Sequence, residues 1–290
     1  MTNLKRILVA TDFSQLGNDA VRRATLLAAR ENAELLILHA FPQPSLLDAA
    51  FNANDDLPRR LRKAADTCLE PLTEAARTAH VHRVRGEIAE GSAHQAVADM
   101  AESFRPDLLV IGAHGKGLLQ QFFLGGTASR ILANAACPVL VVRREPAGDY
   151  RQALAAVDLK LHSEAVLRAA LVVAGRGRVM AVHAYQAPFE AKLRHKGFAE
   201  ENIEHYAENE ARTAERNMAA LLSDPDLAGL DLDSRIIHGH PNPALPEIAE
   251  ALDADLIVAG RHSGSRLGEA TIGSITRFLA YYAPCDVLVV

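Results

Sequence analysis

Gly112, Gly115, Gly125, Gly126 and Thr127 stand between two short apolar runs, Leu108–Ile111 and Pro138–Val142. The first run reads as a buried parallel strand, and a helical stretch from Ala128 to Asn134 follows the last glycine. A strand, a glycine loop and a helix start in that order make a phosphate cradle. Glycines let a phosphate approach the backbone, and the free N–H groups at the helix start favour anionic oxygens. His114 and Lys116 lie inside the same loop, where an imidazole can meet a phosphate and an ammonium can offset its charge.

The pattern recurs near the C-terminus. Gly112, His114, Gly125, Cys137 and Val142 reappear as Gly260, His262, Gly273, Cys285 and Val290, each displaced by 148 positions (260−112, 290−142). A constant offset over so long a stretch identifies an internal duplication. Its boundary is expected in the Glu145–Asp149 linker, giving domains over residues 1–146 and 147–290.

The elements that must position these residues follow in alternation. Arg6–Ala10 is a strand, and Thr11–Ser14 a turn. Ser14 or Asn18 caps a helix whose Ala20, Ala24, Leu27 and Ala28 form one apolar stripe. Glu34–Ala40 is the second strand, residues 42–56 a loop or lid, and Leu57–Ala79 a long helix containing Pro71. Val81–Ile88 is strand three, and a helix over Ala93–Ser103 precedes the glycine-bearing stretch. The second half restarts with a strand over Gln152–Val157 that ends on Asp158, the counterpart of Asp12 (158−12 = 146). Ser163 is expected to cap a helix to Ala174. Arg178–Ala184 repeats strand two, with His183 matching His39 (183−39 = 144), and Ser234–His238 repeats strand three. The changing offset records small indels in loops. Strands alternating with helices predict an α/β fold: two Rossmann-like, doubly wound parallel-sheet domains related by internal duplication.

Composition narrows the function. A net charge of −5 argues against general nucleic-acid binding, which needs clustered Lys and Arg. No apolar stretch approaches the roughly 20 residues of a membrane span. The run after Lys5-Arg6 is too short for a signal peptide. Three cysteines give no even disulfide framework. A reduced, cytoplasmic setting is expected.

The spacing Gly112-x2-Gly115-x9-Gly125 resembles the signature of the universal stress protein family, Gly-x2-Gly-x9-Gly-Ser/Thr. Ala10-Thr11-Asp12-Phe13-Ser14, His39-Ala40 and the ending Cys137-Pro138-Val139-Leu140-Val141-Val142 match as well. The resemblance covers essentially the whole chain, twice, and so suggests a tandem member. It implies an ATP-binding stress-response or signalling protein without a dedicated catalytic reaction. By position, Asp12 would lie near the ribose and Ala40 near adenine, with Ala10 among the nucleotide-binding residues. Gly112, His114, Gly115, Lys116, Gly125, Gly126 and Thr127 would surround the phosphates, with Mg²⁺ accompanying the nucleotide. AMP or ADP could replace ATP. The family's Ser/Thr position holds Gly126, which keeps the backbone donor but loses a hydroxyl unless Thr127 supplies it. A second, weaker site would use Asp158, Ala184, Gly260, His262, Ser263, Gly273 and Ser274. There the middle glycine is Ser263, and a Cβ at a position needing positive φ costs about 1–2 kcal/mol. The first repeat is therefore expected to hold nucleotide more tightly. The resemblance also implies an intramolecular pseudo-dimer through the strands Pro138–Val142 and Asp286–Val290, with further association into a homodimer open.

Plainer readings stand beside these. Asp12 and Asp158 can simply stabilise turns, and His39 and His183 are better read as satisfied structural histidines than as catalytic groups. His80-x-His82 and His238-x-His240 place imidazoles on one strand face, but two ligands do not make a metal site. The sequence holds no Walker loop, no dinucleotide fingerprint and no nucleophile elbow. No catalytic residue is expected, and enzymatic activity would be at most slow ATP hydrolysis. The remaining alternative is a binding module with vestigial nucleotide sites, holding a lipid, a metabolite or a protein.

Overall fold

The computed structural model describes residues 3–41, 57–114, 124–160, 162–186, 200–224, 227, 232–261 and 272–290. The sequence-based expectations for Gly115, Lys116, His262, Ser263 and the 42–56 loop lie outside them. One compact unit holds the chain up to Asp149 together with Asp286–Val289. The other holds Tyr150–Cys285 and Val290.

In the first unit, β1 (Arg6–Ala10) is followed by α1 (Gln15–Glu31), β2 (Glu34–Phe41), α2 (Leu57–Thr78), β3 (Val84–Glu90) and α3 (Ala93–Phe104). Then come β4 (Leu108–Gly112), α4 (Gly126–Asn134) and β5 (Val139–Val142). The strands lie in the order β3-β2-β1-β4-β5, all parallel. Strand Asp286–Val289, named β10 after the second unit's strands, pairs antiparallel with β5 and sets Val287 opposite Val141. Ile7, Leu8 and Val9 of β1 and Leu108 and Val110 of β4 have no exposed surface. Both faces of these strands are covered, which is why their sequences are unbroken apolar runs rather than alternating ones. The α1 stripe of Ala20, Ala24, Leu27 and Ala28 is buried as the helical period requires.

The second unit repeats the plan. It comprises β6 (Gln152–Ala156), α5 (Ser163–Ala174), β7 (Arg178–Tyr185), α6 (Glu200–Leu222), β8 (Leu232–His238), α7 (Pro241–Ala251), β9 (Leu256–Ala259) and α8 (Ser274–Tyr282). Strands β9-β6-β7-β8 are parallel. The duplication is visible in small devices. Phe13 and Leu159, the residues after Asp12 and Asp158, both adopt positive φ, 60° and 58°. His39 and His183 each bond through Nδ1 to a backbone carbonyl, Thr11 O and Val157 O, both at 2.8 Å. Both are therefore satisfied structural histidines. Asp107 accepts from the N–H groups of Lys5 and Arg6, and Asp255 from those of Arg151 and Gln152.

Two expectations need correction. Strand three begins at Val84, not Val81, because His80 takes positive φ (67°) and turns the chain first. His80 and His82 therefore precede the strand. His238 ends β8, while His240 lies beyond Gly239 and caps α7, its Nδ1 accepting from Asn242 N–H. Neither pair shares a strand face. Second, His162 is the N-cap of α5, and Ser163 is its first helical residue. Cys137 is half-buried, whereas its counterpart Cys285 is buried.

The first unit contains one buried ion pair with a structural consequence. Arg23 of α1 meets Asp286 at 3.5 Å, with side chains 6% and 2% exposed, and donates to Gly148 O at 2.6 Å. Asp286 also accepts from Arg143 N–H at 2.8 Å. Removing one partner of such a pair leaves an uncompensated buried charge. Asp286→Ala is expected to cost about 3 kcal/mol in chemical denaturation; a loss within experimental error would show that the pair contributes nothing.

Asp19, 1% exposed, supplies a pH signature. Burial holds its carboxyl above the ordinary carboxylate range, although the Arg22 guanidinium at 2.7 Å pulls it down; Glu145 adds a smaller upward push. A carboxyl raised on folding binds its proton first in the native state, so its contribution to stability grows as pH falls through the raised value towards 3.8. The stability of the wild type relative to Asp19→Asn should therefore be higher at pH 4 than at pH 7. The opposite trend in urea melts would contradict this assignment.

Candidate functional site

The order β3-β2-β1-β4-β5 reverses direction between β1 and β4, so the chain leaves these two neighbouring strands to opposite sides. A crevice opens there beyond the strands' carboxyl ends. It encloses a cavity of ≈ 310 Å³. Ala10 and Asp12 reach it from the end of β1, and Ala40 from β2. Gly112 and His114 line it after β4, and Gly125, Gly126 and Thr127 at the start of α4. The described members of the expected first site thus converge on one cavity.

Two close approaches fix the walls. A Cβ on Gly112 would stand 2.9 Å from Leu16 O, so the first turn of α1 lies directly against the end of β4. A Cβ on Gly17 would stand 2.6 Å from Asp12 Oδ1. Asp12 is held by a local turn in which Oδ1 accepts from Ser14 N–H at 3.0 Å, and Ser14 Oγ in turn accepts from Gly17 N–H at 3.1 Å. The turn-forming role and a place in the cavity therefore coexist in one carboxylate. Behind it, the His39 ring stacks on Phe13 at 4.1 Å.

The opposite wall is a helix start without a side-chain cap. Gly125 is the N-cap of α4, its N–H donates to Ala113 O at 2.7 Å, and among the described residues no side chain caps the first turn. The N–H groups of Gly126 and Thr127 have no intrahelical acceptor by geometry. With the helix dipole they favour an anion. His114 Nδ1 is buried and has no partner among the described residues, leaving a polar atom for a ligand to satisfy.

Residues not singled out in the sequence complete the cavity: Thr11, Gly17, Leu38, Val97, Ile111 and Ile131 among them. Leu38, Val97, Ile111 and Ile131 supply an apolar slot. The available signal was their placement, since Leu38 and Ile111 lie in the carboxyl-terminal halves of parallel strands, and Ala93 and Val97 share a helix face one turn apart.

In the second unit, Asp158, Ala184 and Gly260 line the corresponding cavity, which measures only ≈ 90 Å³. Gly273 and Ser274 do not line it. They begin α8, where Gly273 N–H donates to Arg261 O at 2.8 Å as Gly125 does to Ala113. Among the described residues no three His, Cys, Asp or Glu side chains are grouped to hold a metal ion, and no helix is long and apolar enough to cross a membrane.

The two glycines of the first cavity should respond oppositely to the same substitution. Gly112→Ala must displace the first turn of α1 and should cost about 1–3 kcal/mol. A Cβ on Gly126 would meet nothing within 4 Å, so Gly126→Ala should be neutral or stabilising by about 0.5 kcal/mol. Equal effects in thermal melts would contradict the close approach at Gly112.

Known proteins fit this architecture. The model of the universal stress protein family matches residues 3–143 and again 149–290. A universal stress protein of Thermus aquaticus is 34% identical over 144 residues, covering 48% of this chain and 98% of the relative. PA1789 of Pseudomonas aeruginosa PAO1, whose function is unknown, shares the fold over 99% of this chain and 92% of its own, with TM-score 0.69 and 22% identity. A universal stress protein of Archaeoglobus fulgidus does so over 98% and 97%, with TM-score 0.64 and 18% identity. With the family model matched twice along its length, the chain belongs to the universal stress protein family.

Proposed function

We propose that the first repeat binds an adenine nucleotide, ATP foremost, and that the protein acts through this binding rather than through a dedicated reaction. The observation that carries the reading is the ≈ 310 Å³ cavity at the reversal point of the sheet, with the uncapped start of α4 on one side and Asp12 on the other. Its volume lies at the lower end of the range of small-molecule sites, about 300–1,000 Å³. Leu38, Val97, Ile111 and Ile131 suit the faces of a purine, and the backbone at Ala40, which lines the same cavity, suits its edge. Asp12 is a carboxylate at the end of a strand, the usual acceptor for ribose hydroxyls in open α/β sheets. The N–H groups of Gly126 and Thr127, with His114, suit phosphate oxygens, and Mg²⁺ would arrive with them. The second cavity, at ≈ 90 Å³, is too small for the same ligand, which supports a bias towards the first repeat.

The test is mass spectrometry of the small molecules released on denaturing protein purified without added nucleotide, paired with calorimetry against MgATP. Bound ATP, ADP or AMP, or micromolar to millimolar MgATP affinity at about one site per chain, is the expected outcome. No released nucleotide together with no heat and no thermal shift at millimolar ATP would overturn the reading. Gly126→Ser should tighten MgATP. The space around Gly126 accommodates the side chain, and one added hydrogen bond is worth about 1 kcal/mol, or about fivefold in Kd. Unchanged or weaker affinity would mean that the phosphates lie elsewhere.

A further inference from the structure

The two cavities occupy equivalent places in the duplicated fold, yet differ more than threefold in volume, ≈ 310 against ≈ 90 Å³. Register locates four exchanges that narrow the second cavity. Displacing the turn after β1 by 146 positions puts Ser163 on Gly17, and the matching positive φ at Phe13 and Leu159 confirms that register. Displacing the later elements by 148 puts Pro241 on Ala93, Leu245 on Val97 and Thr276 on Ala128. All four residues line the second cavity, and all four counterparts line the first. Each of these four exchanges adds volume at the cavity wall, and together they outweigh the smaller Val182 and Ala259 that stand where the first repeat has Leu38 and Ile111.

Two of the four are also fixed by hydrogen bonds. Ser163 is 1% exposed; its Oγ donates to Asp158 Oδ1 at 3.1 Å and accepts from Lys160 N–H at 3.1 Å. Asp158 Oδ1 accepts from Lys160 N–H as well, at 3.0 Å. That oxygen, the counterpart of the one against which Gly17 leaves room, is therefore met by a side chain of the protein itself. Thr276 is 4% exposed, and its Oγ1 donates to Gly260 O at 2.5 Å. Gly260 is the counterpart of Gly112, so the first glycine after the strand is tied to α8. A buried, satisfied hydroxyl is costly to displace, because the group it leaves behind loses its partner.

We infer that Ser163, Pro241, Leu245 and Thr276 close the second repeat to nucleotide, and that Gly17, Ala93, Val97 and Ala128 keep the first repeat open. The inference rests on the nucleotide reading of the first cavity. It makes the packing of the cleft, rather than the Ser263 replacement, the determinant of which repeat binds.

Calorimetry with MgATP on three full-length proteins tests it. The wild type is expected to take up one nucleotide per chain. The variant S163G/P241A/L245V/T276A, which carries the first-repeat residue at all four places, is expected to take up two. The variant G17S/A128T, which carries second-repeat residues in the first cavity, is expected to lose at least about tenfold in affinity. If the four-residue variant is folded by circular dichroism and still binds one nucleotide, the inference is overturned and the asymmetry passes to the 262–271 segment. If that variant does not fold, G17S/A128T decides: weakened binding supports the inference, and wild-type affinity overturns it. A wild type that binds no MgATP at all overturns the nucleotide reading itself, and with it this inference. Two nucleotides on the wild type would overturn the inference alone.

Discussion

The contact on which the site depends is between two pieces of backbone. The first turn of α1 lies so close to the end of β4 that Gly112 has no room for a Cβ beside Leu16 O. Because β1 and β4 are neighbours at the reversal point of the sheet, this approach brings the turn holding Asp12 alongside the end of β4. Gly17, the next residue of α1, extends the same constraint, since a Cβ there would stand 2.6 Å from Asp12 Oδ1. Everything chemical in the cavity is arranged around these two absent side chains: a carboxylate on one wall, uncapped N–H groups on the other, apolar side chains between. Interiors are packed closely enough that one methyl group in such a place is felt throughout.

Duplication has preserved the frame and altered the cavity. The turn with positive φ, the histidine bonded to the carbonyl after the first strand, and the aspartate bridging the starts of neighbouring strands are present in both repeats. These are backbone devices, and losing any of them would leave buried donors or acceptors unpaired. The cavity walls carry no such obligation. Enlarging a side chain that faces an unfilled space adds packing and sacrifices only the ligand.

The strands, the alternation with helices and the duplication were legible because both faces of each central strand are buried. Ile7–Val9 and Leu108–Ile111 leave no other reading. Half of the described residues lining the first cavity were legible for a related reason: they punctuate the ends of strands and the start of a helix, where glycine and aspartate have few purposes. The cavity walls were not. Val97 and Leu245 are both ordinary apolar helix residues, and nothing in their types tells which one faces a space and which one fills it. Ser163 looked like a helix cap because serine before an apolar run usually is one; the structure instead gives the cap to His162 and turns Ser163 towards Asp158. The His80 and His240 assignments failed because single residues at positive φ, His80 itself and Gly239, moved the ends of the strands. A one-residue change of backbone region is invisible to alternation counting.

The central claim is that a nucleotide sits between the Asp12 turn and the start of α4. Amide chemical-shift mapping during a titration with MgATP tests it most directly, because the backbone N–H groups proposed to meet the phosphates report on themselves. The account predicts the largest saturating shifts at Gly112, His114, Gly126 and Thr127, with those of Gly260, Gly273 and Ser274 unmoved. Shifts confined to other surfaces, or equal shifts at both helix starts, would contradict it.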